Sequence, residues 1–421
     1  MPIDKYKFAE ILSLPNILIL IMAFLLFYSL FQKNRKLVNS KIYLYLFLLF
    51  FLSIVSSVLS DNINTSARNG VTLLSGIMIV ILVINICNNY FIYNRVIITI
   101  FQSSIVVSIY GILQFIFYLI TGDLLFGSGT VNSTGFIKMP YIVQANSFFD
   151  SGIILGHYLL LPLILGIVIW PHITKWKHRF LIKTSVILSF ITLVLTFSRG
   201  AWVPLIIFIL YLIYNKIKKY HKSVKYILLL LFTFGLVKTA IPIFDYIVRL
   251  RPMSTYNRAG IIYSSLNSIY ENPFIGRGLG STVGQKFPND QYALFSREAQ
   301  KMGKKLDIDI GKTFGRETHN TFLQVAVDLG LIGLFLYFIL LFMIWKKRML
   351  YEKLADNYLL SLYGNGIITA FVFLTICSIF SSVFFVKQTW VIIGLVLAGA
   401  NVTRNNHTLE IQNGHPNLRY L

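Results

Sequence analysis

Residues 323–344 read LQVAVDLGLIGLFLYFILLFMI, and Trp345, Lys346, Lys347 and Arg348 follow directly. The run is long enough to cross a bilayer, for which about 20 mostly apolar residues suffice as a helix. An indole and a basic cluster at its end suit the boundary between hydrocarbon and water. Outward from this run, the same pattern recurs over 14–32, 42–60, 71–89, 95–121, 148–170, 182–198, 200–215, 225–243, 320–344, 358–386 and 388–403. The chain is expected to be all-α, a polytopic membrane helical bundle of about 11–12 transmembrane helices. The junctions at 198–200 and 386–388 are so short that each adjoining pair is expected to form a hairpin.

Composition excludes the other classes. The 421 residues are 56% hydrophobic and 13% charged, with 35 Phe and 24 Tyr, whereas a soluble chain carries roughly 25% charged residues. A mean hydropathy of +0.69 is equally foreign to disorder, which needs low hydrophobicity. Cys87 and Cys377 sit far apart in apolar stretches, so neither a disulfide framework nor a metal knuckle is expected. The formal charge of +22 is no nucleic-acid footprint, because the cations lie in short clusters between apolar runs.

Those clusters set an orientation. Lys33, Arg35, Lys36 and Lys41 form one, and Lys175, Lys177, Arg179 and Lys183 a second. Lys216, Lys218, Lys219, Lys222 and Lys225 make a third, and Lys346, Lys347, Arg348 and Lys353 a fourth. Alternating spans put all four on one side, which is then cytoplasmic, with the N-terminus outside and the C-terminus inside unless residues 1–13 hold a short extra interfacial helix. The first run is expected to be a full span, not a removable signal peptide. All five tryptophans (Trp170, Trp176, Trp202, Trp345, Trp390) lie near span ends, where interfacial anchoring is expected. The expected organisation is an N-terminal helical region over 1–244, a long extracytoplasmic loop with short helices over 245–318, C-terminal helices over 319–403, and a polar, mobile cytoplasmic tail over 404–421. A second outward segment, 122–147, is rich in Gly, Ser, Thr and Asn.

Candidate chemistry gathers on the outer side. Arg199, in Thr196-Phe197-Ser198-Arg199-Gly200-Ala201-Trp202, stands between two apolar runs with almost no loop. An arginine at such depth costs a few kcal/mol unless it snorkels or is paired, which makes it a functional candidate. Lys238 and Lys387 lie at similar depth and fit snorkelling. Arg249, Arg251 and Arg258 place three guanidinium groups at the outer mouth of a span, and guanidinium binds phosphate bidentately without deprotonating. The loop carries eleven Lys/Arg against seven Asp/Glu, so it reads either as an anion site or as a loop exempt from the topology rule. Residues 261–270 have helical apolar spacing and could lie along the membrane surface.

The run Asn272-Pro273-Phe274-Ile275-Gly276-Arg277-Gly278-Leu279-Gly280 lacks the strand and βαβ unit of a dinucleotide fingerprint. A tight backbone turn beside a ligand fits it better. Asp307 and Asp309 have the spacing of a metal-binding carboxylate pair, but Lys301, Lys304, Lys305 and Lys312 surround them, so a solvated face is expected and no metal. His319, in Arg316-Glu317-Thr318-His319-Asn320-Thr321-Phe322, opens an apolar helix on the same face as Arg199 and Arg258. Of the other histidines, only His157 lies inside a span.

Four of these motifs occur in an order that resembles the O-antigen ligase and O-antigen polymerase superfamily of bacterial membrane glycosyltransferases. They are the Ser198-Arg199-Gly200-Ala201-Trp202 turn, the Asn257-Arg258 pair before Gly260, the Asn272–Gly280 run, and the His319-Asn320-Thr321-Phe322 helix start. The likeness covers about 190–345, with a thinner echo at Pro140 and Asn146. It implies a GT-C-like enzyme of the bacterial inner membrane that takes a glycan from undecaprenyl pyrophosphate on the periplasmic side. By the same resemblance Arg199 and Arg258 hold the pyrophosphate and His319 acts on the acceptor hydroxyl. Arg249, Arg251, Arg277 and Asn320 are expected to contact the substrate.

Fixed guanidinium groups can stabilise the leaving pyrophosphate, so neither a metal nor another cofactor is expected. His319 can serve as general base, and in-line attack inverts the anomeric carbon. The acceptor is another lipid-linked glycan for a polymerase, or lipid A core for a ligase. A flippase or exporter of the same lipids is the reading from another class, and the chain lacks the repeated halves that transporters often show. Membrane lipids and other polysaccharide-assembly proteins are the further partners.

Overall fold

Backbone amides find no water in hydrocarbon, so each apolar run closes its hydrogen bonds within itself as a helix. The computed structural model describes residues 14–32, 37–38, 40–60, 62–125, 130–136, 139–217, 261–262, 265–281, 318–353 and 358–413. In chain order its elements are α1 (Leu14–Gln32), α2 (Ile42–Val58), α3 (Ile63–Ile86), α4 (Tyr90–Thr121), β1 (Thr130–Phe136), β2 (Met139–Gln144), α5 (Gly152–Ile169), α6 (Trp176–Leu195), α7 (Arg199–Ile217), α8 (Thr321–Trp345), α9 (Arg348–Lys353), α10 (Tyr358–Phe380) and α11 (Lys387–Asn413). The expected span at 225–243 lies outside the described residues, as do Lys238, Arg249, Arg251, Arg258, Asp307 and Asp309.

Among the described residues, six helices are long and apolar enough to cross a membrane: Ile63–Ile86, Tyr90–Thr121, Gly152–His172, Trp176–Leu195, Thr321–Tyr351 and Leu360–Phe380. Pro15–Leu26, Ile42–Val58 and Gly200–Asn215 are shorter apolar helices. The chain is a multi-pass helical membrane protein. α11 is not among these candidates, because its apolar stretch, residues 390–403, is short and lies between Lys387-Gln388 and Arg404-Asn405. The segment expected to be a mobile tail from residue 404 is therefore helical as far as Asn413.

Side-chain caps set several helix starts. Asn62 accepts from the Thr65 N–H (3.1 Å) at α3, and Asn89 from the Ile92 N–H (2.9 Å) at α4. These caps carry both helices further toward their N-termini than hydropathy alone indicates. Gly122, with φ 76°, closes α4 by donating its N–H to the Tyr118 carbonyl (2.9 Å). The all-α expectation has one local exception. β1 and β2 pair antiparallel, with Thr130 opposite Gln144 and Val131 opposite Val143, inside the outward segment expected over 122–147. An irregular stretch rich in Thr, Val, Tyr and Ile satisfies its backbone as a hairpin.

α5 is the central helix. Seventy-two per cent of its apolar window is buried, against 28% for α4 and α6, and a helix that is apolar all round belongs in the middle of a bundle. α5 packs on α6, α7 and α10, while α4 packs on α6 and α2 on α8 and α3. The α3–α11 seam is glycine-mediated, since a Cβ at Gly76 would lie 2.5 Å from Trp390 Cδ1 and one at Gly394 2.8 Å from Val83 Cβ. Such close approach is how membrane helices gain contact without a hydrophobic drive between them.

Trp390 fills the space above Gly76, is 1% exposed and donates Nε1–H to the Phe384 carbonyl (2.9 Å). It is a core residue and not the interfacial anchor expected, whereas Trp176 is 73% exposed. Of the two expected hairpins, α10 and α11 lie side by side. α6 and α7 diverge after their turn, α6 toward α4 and α5, α7 toward α10 and α5.

Candidate functional site

The turn between α6 and α7 is built from its own polar atoms. The Thr196 hydroxyl donates to the Leu193 carbonyl (2.7 Å) and accepts from the Ser198 N–H (3.2 Å). The Ser198 carbonyl then receives the Ala201 and Trp202 N–H groups, both at 3.1 Å, which starts α7 at Arg199. Trp202 closes the turn by donating Nε1–H to the Leu193 carbonyl (3.1 Å). Two glycines of α5 admit the turn, because a Cβ at Gly152 would stand 3.0 Å from the Thr196 oxygen and one at Gly156 2.8 Å from Ala201 Cβ.

The strand returning from the hairpin lies on the same turn. Ala145 donates its N–H to the Leu195 carbonyl (3.1 Å). Beside it Ser147 is held by Gln114, whose Oε1 accepts the Ser147 N–H (2.7 Å) and whose Nε2 donates to the Ser147 carbonyl (3.2 Å). Asn146 between them is buried.

The start of α8 meets a different partner. Asn320 is its cap, with Oδ1 accepting from the Phe322 and Leu323 N–H groups at 2.9 and 3.0 Å. The Thr318 hydroxyl donates to the Asn320 carbonyl (2.8 Å) and shares a hydrogen with Ser382 Oγ (3.0 Å). Thr321, fully buried, donates Oγ1–H to the Ser381 carbonyl (2.7 Å) and accepts the Val383 N–H (2.9 Å). The link between α10 and α11 thus lies against the residues around His319.

That link also touches α7. A Cβ at Gly200 would meet Ser381 Oγ at 2.5 Å, and Cys377 donates its thiol hydrogen to the Gly200 carbonyl (3.2 Å). Ser381 therefore joins the backbone beside Arg199 to the helix start beside His319. Ser147 (φ 52°), Phe197 (φ 49°) and His319 (φ 51°) are the non-glycine residues with left-handed backbone among those described. Ser147 and Phe197 flank the contact between the returning strand and the α6–α7 turn, and His319 lies across the link. Such conformations cost of order 1–3 kcal/mol each and cluster at functional sites. Ser198 Oγ, buried in the turn, has no hydrogen-bond partner among the described residues.

The glycine run docks elsewhere on α8. Gly276 (φ 76°), Gly278 (φ 97°) and Gly280 (φ 71°) turn the chain so that the Arg277 N–H reaches the Val327 carbonyl (2.9 Å) and the Gly278 N–H the Asp328 carbonyl (3.1 Å). α8 is broken there, at Gly330 (φ 71°, ψ −174°), and the Leu331 N–H crosses to the Pro273 carbonyl (2.7 Å). The tight turn is as expected, but protein lies beside it: the broken helix on one side, Ser60, Ser66 and Asn69 on the other. The Arg277 guanidinium forms an ion pair with Glu271. Its backbone joins α8 at Val327, about 9 Å along the helix from its first residue, Thr321, at 1.5 Å per residue.

Of the expected site residues, the structure draws together the segments that carry Arg199, His319 and Asn320. It sets Arg277 apart, and Arg249, Arg251 and Arg258 lie outside the described residues. Thr318, Thr321, Ser147 and the Ser381–Ser382 pair escaped sequence reasoning. The available signal was the pair of adjacent hydroxyl residues near the end of the 358–386 run. Among the described residues no three His, Cys, Asp or Glu side chains gather as a metal site needs.

Residues 184–338 match the protein-family model described as O-antigen ligase. No curated protein matches the chain. All seven expected site residues fall within the matched stretch, whereas Ser147 and the 381–383 link lie beyond it. Over residues 184–338, then, this multi-pass helical membrane protein is similar to the O-antigen ligase family.

Proposed function

We propose that the chain is a glycosyltransferase that polymerises undecaprenyl-pyrophosphate-linked glycan at the periplasmic face of the bacterial inner membrane. The observation that supports it is the convergence of the Arg199 and His319 segments on the 381–383 link, with left-handed non-glycine backbone on both sides. Arg199 and Arg258 bind the pyrophosphate and stabilise the negative charge it gathers as the glycosidic bond breaks. Arg249 and Arg251 add positive charge at the same mouth. His319 takes the proton of the acceptor hydroxyl as that oxygen attacks the anomeric carbon opposite the leaving group. The product is inverted, and the guanidinium groups do the work that a divalent ion does elsewhere. Arg277 and Asn320 are already engaged, with Glu271 and with the α8 amides, so a substrate contact there uses their remaining polar atoms.

The ligase reading is favoured by one observation, the description of the matching family as O-antigen ligase. Its acceptor is lipid A core and not a second lipid-linked glycan. Deleting the gene and running the envelope glycan on a gel separates the two. A polymerase predicts loss of the ladder with a single repeat still on the core. A ligase predicts bare core with lipid-linked polymer accumulating. An unchanged ladder overturns both.

A further inference from the structure

We propose that Thr321 is a positioning residue that holds Arg199 and His319 in register through Ser381; this rests on the glycosyl-transfer reading above. The Thr321 hydroxyl uses both of its hydrogen-bonding roles on one short link, donating to the Ser381 carbonyl at 2.7 Å and accepting the Val383 N–H at 2.9 Å. Both bonds are buried and span more than fifty residues of sequence, so no local propensity replaces them. Ser381 is fixed from the other side, where its side chain fills the space left by Gly200 and Cys377 bonds the Gly200 carbonyl. The path is therefore continuous: His319, two residues before Thr321; the hydroxyl; Ser381; Gly200; and Arg199.

Nothing in this path requires Thr321 to touch substrate. Its side chain is fully buried, and a hydroxyl that both donates and accepts within the protein has little left to offer a ligand. Removing it frees the Ser381 carbonyl and leaves the buried Val383 amide without the partner it has here. The link can then shift against α8, and a displacement of about 1 Å between reacting groups costs on the order of 10²-fold in rate.

The test uses full-length protein in detergent or liposomes with its lipid-linked glycan donor, with rates normalised to folded protein. Thr321→Val keeps the shape and loses both bonds. We expect kcat to fall by about 10–100-fold with the donor KM nearly unchanged. Thr321→Ser restores the hydroxyl and should recover most of kcat. A merely structural role instead lowers the yield of folded protein and leaves its kcat intact, and that outcome overturns the proposal. A cysteine pair, Thr318→Cys with Ser382→Cys, covers the case in which the valine variant does not accumulate. Their hydroxyls lie 3.0 Å apart, so a disulfide there ties the link to α8. With Thr321 unchanged, the oxidised pair should turn over as fast as the reduced pair; loss on oxidation shows that the link must leave α8 and overturns the proposal. If Arg199→Ala and His319→Ala retain turnover, the functional reading itself fails. If they lose it while Thr321→Val does not, only the positioning role fails.

Discussion

Asn320→Ala separates two roles for a residue that sequence reasoning assigned to substrate. Its Oδ1 accepts the Phe322 and Leu323 amides at 2.9 and 3.0 Å, two of the four N–H groups that every helix start leaves open. Losing such a cap costs about 1 kcal/mol in ordinary surroundings and up to about 2. Here both donors are half-buried at the head of a membrane helix, so the upper value applies. About 2 kcal/mol corresponds to roughly a 30-fold shift toward an open first turn. Hydrogen exchange at the Phe322 and Leu323 amides should speed up by about that factor in the alanine variant, with turnover falling because His319 loses its footing. Asn320→Ser restores a capping oxygen and should return both exchange and turnover most of the way. A serine variant with a protected first turn and no activity would refute capping as the main role and make Asn320 a substrate ligand. An alanine variant with unchanged exchange would refute the energy assigned to the cap.

Three further outcomes are expected. His319→Ala should bind donor yet turn over about 10²–10⁴-fold more slowly, while Arg199→Ala and Arg258→Ala lose donor binding and lysine rescues either poorly; correctly inserted His319→Ala and Arg258→Ala proteins with near-normal turnover sink the site. Single cysteines in place of Asp290 or Lys304 should react with an impermeant thiol reagent in intact cells or spheroplasts, against a low background because Cys87 and Cys377 are buried; labelling only after lysis reverses the orientation. Activity should survive excess chelator and the paired Asp307→Ala, Asp309→Ala change, and a loss restored by magnesium or manganese shows that the carboxylate pair holds a metal.

Hydropathy read the helices well because lipid leaves a backbone few choices, and the run at 323–344 became α8 nearly to the residue. Starts were read less well where one polar side chain decides them, as Asn62 does for α3. Trp390 was misplaced because being near a span end does not reveal whether a side chain faces lipid or a glycine on the next helix. Within the site, Arg199 and His319 stood out as charges or titratable groups at unusual depth. Thr321 and Ser381 did not, since a hydroxyl acquires its role only from a partner sixty residues away. The three loop arginines remain as read from the sequence.

The break in α8 has a consequence for how such a protein can be altered. At Val327, Asp328 and Leu331 the helix and the 273–281 segment satisfy one another's backbone, and Ser56 of α2 donates its hydroxyl to the Asp328 carbonyl as well (2.6 Å). Inside a bilayer, carbonyls without partners cost several kcal/mol, so α8 is not a finished membrane helix until that segment arrives. Segment and helix are thus a single unit of exchange. A chimaera that imports a relative's 273–281 segment has to import the 327–331 stretch with it. A graft that respects only the apparent loop boundaries leaves a hole in the backbone of a transmembrane helix.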